Sequence, residues 1–167
     1  YANRVNVMKM SQAFSELFDY KIILGDVSTS VSEVLREYGI DKPFAVDVLY
    51  KKPPVLRPRA LFAALKIRKI IAGEPPETVF YIRDFLLAYF LSFVSKRFRS
   101  RYFVECHALD KFPRAIYKRV LQEARGIIST NGAKKKFMVE SFGVPAEKIL
   151  VAPNGFDARL FANAPDR

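Results

Sequence analysis

Acidic side chains are the scarce charge in this chain, 17 against 28 lysines and arginines, which leaves a formal net charge of +11. Such a balance attracts nucleic acid, acidic lipid or phosphorylated molecules without choosing among them. Cysteine and histidine are scarcer still, with one of each. One cysteine excludes an internal disulfide, and one cysteine with one histidine excludes an ordinary structural zinc site. A reducing, cytoplasmic setting fits that usage. Long apolar runs are missing too. The longest, Phe85 to Val94, is far below the roughly 20 residues a helix needs to span a bilayer, and no signal-peptide pattern appears, so the chain is not expected to cross a membrane. There is no Walker loop, no G-x-G-x-x-G, no G-x-S-x-G, no internal repeat and no low-complexity tract.

What is present is a core-forming composition, half apolar over 167 residues, enough for one domain. Ala2 to Phe18 reads as a helix with Val7, Met10, Phe14, Leu17 and Phe18 on its apolar face. Lys21 to Leu24 reads as a strand stopped by Gly25. Ser30 and Glu33 have capping-box spacing for a helix to Tyr38. Phe44 to Leu49 is the next strand, and a cationic, proline-rich loop from Lys51 to Arg59 leads into a helix over Ala60 to Ala72, ended by Gly73. Between Asp47 and Glu74 there are seven cations and no acid.

Val79 to Ile82 is a strand, followed by a helix from Phe85 to about Phe98 that is apolar almost all round. The strand Tyr102 to Cys106 delivers His107, and Pro113 opens a helix over Ala115 to Ala124. Gly126 to Thr130 reads as a buried strand entered through glycine and closed by hydroxyl side chains. The helix Gly132 to Phe142 is capped by Asn131 or Thr130, is expected to bury Ala133, Phe137, Met138 and Phe142, and stops at Gly143. Lys148 to Ala152 is the last strand, cut off by Pro153 before the Asn154-Gly155 turn. Strands alternating with helices throughout, without hairpin signals, predict an α/β fold with an open parallel sheet and helices on both faces.

In such a sheet the ligand crevice lies at the carboxyl ends of the strands, which directs attention to Asp26, Arg83, Asp84, His107, Thr130, Asn131, Asn154 and Gly155. Alternation along the strand puts Glu105 and His107 on one face and Cys106 on the other, which argues against a Cys106–His107 dyad. Arg83 and Asp84 also fit a surface ion pair or a helix cap. Lys134, Lys135 and Lys136 read as a solvated helix face.

Three passages, "FYIRD" over 80–84, "FVECH" over 103–107 and "ESFGVPAEKILVAPNGFDARLF" over 140–161, resemble the N-terminal domain of family 4 glycosyltransferases of the GT-B fold. Phe156 stands where that family usually has valine. The resemblance implies a Rossmann-like acceptor-side domain over 1–157, the start of an interdomain linker over 158–167, and a C-terminal donor domain not contained in these residues. It implies retaining transfer of a sugar from a nucleotide-sugar co-substrate, with no metal or other cofactor, to a carbohydrate or lipid-linked acceptor in polysaccharide or glycolipid assembly. His107 would be the catalytic residue, facing the donor sugar. Thr130, Asn154 and Gly155 would line the donor or interdomain cleft. Asn3, Arg4, Arg83, Asp84 and Glu105 would contact acceptor or phosphate, with Glu105 alternatively holding the local backbone or His107 itself.

The chain begins at the family's first helix, so the family's first strand is expected to precede it, and the strands at Lys21 and Val79 are expected to flank that strand's slot without pairing with each other. Read as a fragment, the chain is expected to transfer no sugar alone. The basic stretches Lys51 to Lys69 and Lys96 to Arg101, mixed with apolar side chains, fit either buried helices with snorkelling cations or a surface that sits on an anionic membrane at its cytoplasmic face, and the resemblance, through its lipid-linked acceptors, implies the second. A rival reading is a basic α/β binding module for anionic membrane or nucleic acid without catalysis. Charge fits that rival, but the strand-end motifs do not follow from it, and nucleic acid is the disfavoured partner.

Overall fold

The computed structural model describes residues 2–26, 30–50 and 58–153, without the side chains of residues 2–4 and Asp26. They form two compact units, the described residues up to 50 and those over 58–153. Strands and helices alternate in both, and every strand pairing is parallel.

The first unit holds α1 (Ala2–Leu17), β1 (Lys21–Asp26), α2 (Val31–Glu37) and β2 (Ala45–Tyr50). β1 and β2 form their own sheet, in register from Lys21 opposite Ala45 to Asp26 opposite Tyr50. The capping box opens α2 as its spacing predicted: the Glu33 amide donates to Ser30 Oγ at 3.2 Å, and the Ser30 amide to Glu33 Oε2 at 3.1 Å. Met8, Leu35 and Tyr38 are the core, with Val5, Ile22, Val34, Phe44 and Val46 against it. Two expectations fail here. β1 runs through Gly25 to Asp26 because its ladder with β2 continues. The buried face of α1 carries Met8, Ser11 and Gln12, whereas Leu17 and Phe18 are 73% and 65% exposed. Ser11 on that face finds a partner in the Tyr20 hydroxyl at 2.8 Å.

The second unit holds α3 (Arg59–Gly73), β3 (Phe80–Ile82), α4 (Phe85–Val94), β4 (Tyr102–Cys106), α5 (Arg114–Glu123), β5 (Gly126–Ser129), α6 (Gly132–Phe142) and β6 (Ile149–Val151). Its sheet has the order β3-β4-β5-β6. Tyr102, Val104 and Cys106 on one face of β4 are fully buried. Phe85, Ala88 and Leu91 of α4 and Tyr117, Val120 and Leu121 of α5 complete that core, with Phe85 edge-on to Tyr117 at 5.0 Å. On the other face Phe103 crosses Gly126 so closely that a Cβ there would stand 2.6 Å from the ring, so glycine opens β5 for want of space.

α4 ends at Val94, four residues earlier than its apolar run suggests, because Ser95 turns to an extended conformation. The cations beyond it hold carbonyl oxygens: Arg97 that of Ala72 at 2.5 Å, Arg99 that of Ser92 in the last turn of α4, and Arg101 that of Pro75 at 3.1 Å. α6 is capped at Asn131 and stops at Gly143 with φ 65°, but only Met138 and Phe142 of its expected core residues are buried. Ala133 is exposed and so is Phe137, which lies edge-on to Phe142 instead.

Candidate functional site

β3 and β4 pair with Tyr81 opposite Phe103 and Ile82 opposite Val104. Alternation therefore sets Tyr81 and Arg83 on the face of Phe103, Glu105 and His107, and the register brings Arg83 beside Glu105 just past the strand end. The four polar side chains meet there. Glu105 is 6% exposed. Its Oε2 accepts from the Tyr81 hydroxyl and lies 3.2 Å from Arg83 Nε, while its Oε1 faces His107 Nε2. Arg83 reaches that same imidazole nitrogen, with Nε at 3.1 Å and a terminal nitrogen in contact. A buried carboxylate is thus balanced by a guanidinium, a phenol and an imidazole.

Burial pushes the His107 pKa below its ordinary 6.5. The Glu105 carboxylate opposes this, and the charges of Arg83 and Lys134 add to it. The ring is accordingly neutral at pH 7 and can donate or accept a hydrogen bond. Cys106 lies on the opposite face, fully buried, with its thiol pushed up to about 11 chiefly by burial. It is a core residue without thiolate character.

The lysine run that reads as solvated divides three ways. Lys136 lies 3.9 Å from Glu140, and Lys135 donates to the Ile149 carbonyl at 2.9 Å. Lys134 turns back to the strand ends, where its ammonium donates to Thr130 Oγ1 at 2.7 Å. Lys134 and Tyr81 are the members of this region that sequence reasoning missed. Their signals were spacing: Lys134 is one helical turn after Thr130, and Tyr81 is one alternation before Arg83.

Asp84 stands apart. Its carboxylate accepts from the Leu87 amide at 2.9 Å and caps α4, which is the helix-cap alternative. Asp84→Ala is expected to lower stability by about 1 kcal/mol, read as an earlier urea midpoint with an unchanged slope. An unchanged midpoint would show that the cap does not matter. Asn131 caps α6 through the Lys134 amide, also at 2.9 Å. The side chains of Asn3, Arg4 and Asp26, and residues Asn154 and Gly155, lie outside the described ones. Among the described residues no three His, Cys, Asp or Glu side chains stand together as a metal site.

A parallel α/β fold with a polar cluster at the carboxyl ends of its strands is a ligand-binding architecture. The Glycosyltransferase Family 4 model matches residues 35–160, most of the chain, and the chain belongs to that family. In fold it is similar to a crystal structure of a glycosyltransferase from Rickettsia africae ESF-5, with a TM-score of 0.62 and 14% identity, over 97% of this chain and 42% of that one. It therefore spans less than half the length of that relative. No curated protein matches it.

Proposed function

We propose that these residues are the acceptor-side domain of a retaining GT-B glycosyltransferase that moves a sugar from a nucleotide-sugar donor to a carbohydrate or lipid-linked acceptor. The observation that carries this reading is the Tyr81, Arg83, Glu105 and His107 cluster at the carboxyl ends of β3 and β4 in a chain of family 4. His107, one-third exposed on its side chain, faces the donor sugar. Thr130 stands at the next strand end, just past β5. A C-terminal domain would grip the nucleotide, and the transition state would be helped by stabilising the departing diphosphate and the oxocarbenium-like sugar.

Incubating the intact protein with a panel of nucleotide-sugars and lipid-linked acceptors tests this. Acceptor-dependent release of nucleoside diphosphate, with the donor's anomeric configuration kept in the product, is expected. An inverted product overturns retention, and no release from any donor overturns the activity.

The same reading puts the enzyme on the cytoplasmic face of an anionic membrane. Arg97, Arg99 and Arg101 spend their guanidinium groups on carbonyls, and residues 51–57 lie outside the described ones, so the α3 surface carries the argument. There Leu65 is exposed among Lys66, Arg68 and Lys69. Sedimentation with anionic vesicles should exceed that with neutral ones and fade with salt. Equal, negligible binding to both removes the membrane.

A further inference from the structure

Among the described residues, the hydrogen-bond and ion-pair contacts of the His107 imidazole all run through Nε2, which two groups contest. Glu105 Oε1 faces it as an acceptor, and Arg83 faces it as a donor. A neutral ring satisfies only one of them. With hydrogen on Nε2 the carboxylate is bonded; with hydrogen on Nδ1 the arginine is bonded.

The surroundings decide between them. Glu105 is almost wholly buried, and its other oxygen is already taken by Tyr81 and Arg83. If Nε2 carried a lone pair, Oε1 would be a buried anionic oxygen pressed against it, the costlier mismatch. Arg83 has five N–H donors and is more exposed than Glu105, so it can turn one N–H away from the ring and keep its ion pair with the carboxylate.

Resting on the reading of His107 as the sugar-facing group, we propose that Glu105 is a positioning residue that fixes His107 in the Nε2–H tautomer, so that Nδ1 presents a lone pair to a substrate hydroxyl. An Nδ1–H would instead suit a phosphate oxygen. Glu105 then touches no substrate itself. Tyr81 serves the same end by holding the Glu105 carboxylate from below.

The chain has a single histidine, so a sample labelled with ¹⁵N-histidine shows one ring, and long-range ¹H–¹⁵N spectra recorded above its pKa read its tautomer without substrate or turnover. The expected result is protonation at Nε2 alone, eroded to an average of both tautomers in Glu105→Gln, with the ring pKa lowered further as an opposite charge is lost. A wild-type ring protonated at Nδ1, or averaged, overturns the proposal. So does a Glu105→Gln ring that stays wholly Nε2–H. Should a variant not fold, the wild-type spectrum alone still decides. Should the labelled chain alone lack dispersed amide signals, the same spectra of the intact protein, minus those of its His107→Gln variant, give the ring. An Nε2–H ring in an enzyme whose activity survives His107→Ala would leave Glu105's hold on the tautomer standing and sink the sugar-facing role, with the Nδ1 contact to substrate.

Discussion

His107→Ala in the intact protein is expected to cost on the order of 100-fold or more in kcat/KM, the scale of removing one preorganised polar group aimed at developing charge. The imidazole is held by buried Glu105 and by Arg83, so its orientation is fixed before substrate arrives. Truncation also strips Glu105 Oε1 of its partner, so the urea midpoint must be measured alongside, and His107→Gln serves as the better-tolerated control. The pH profile carries a sign. Because burial lowers the ring's pKa below 6.5, the neutral form fills the neutral and alkaline range, and activity falls as pH drops through that lowered value. A folded His107→Ala enzyme that keeps most of its kcat/KM, or an acid limb centred above 6.5, would sink the assignment.

The pairing of Glu105 with His107 was legible because a strand's period of two is rigid: once Tyr102 to Cys106 is a strand, the two must share a face and Cys106 must leave it. Arg83 and Tyr81 joining them was not legible, because that depends on the β3–β4 register, which no local signal fixes. Helix positions were readable at their ends, where Ser30, Asn131 and Gly143 act locally. Helix faces were less so. α1 hides Ser11 and Gln12 and exposes Leu17 and Phe18, since which stripe is buried is set by what the fold brings against it. α4 stops at Val94, where Ser95 turns extended and Arg99 satisfies the Ser92 carbonyl in the last turn, an arrangement that an apolar run does not reveal. Lys134 illustrates the same limit, as its neighbours in sequence point to solvent and to β6 while it alone turns to the strand ends.

Tyr102→Ala is expected to cost about 3–5 kcal/mol, the range for truncating a buried aromatic. In a domain whose total stability is of order 5–15 kcal/mol, that is a large share of the margin. The residue opens the central strand β4 with no exposed surface. Its ring stacks on Phe98 with centroids 4.4 Å apart and 4° between planes, and its hydroxyl donates to the Val120 carbonyl at 2.6 Å. It therefore ties the turn after α4 and the end of α5 to the sheet that carries Glu105 and His107. Tyr102→Phe separates the two contributions. It keeps the stack and leaves only a buried carbonyl short of a donor, so about 1–2 kcal/mol is expected. Burial and the nearby Glu123 push the phenol's pKa upward, so the hydroxyl stays a donor throughout the working range and the Phe variant's deficit should not change between neutral and mildly alkaline pH. Urea denaturation of both variants checks this. If Tyr102→Phe costs as much as Tyr102→Ala, the hydrogen bond and not the stack holds the strand. If Tyr102→Ala costs under about 1 kcal/mol, β4 is not the centre of this core.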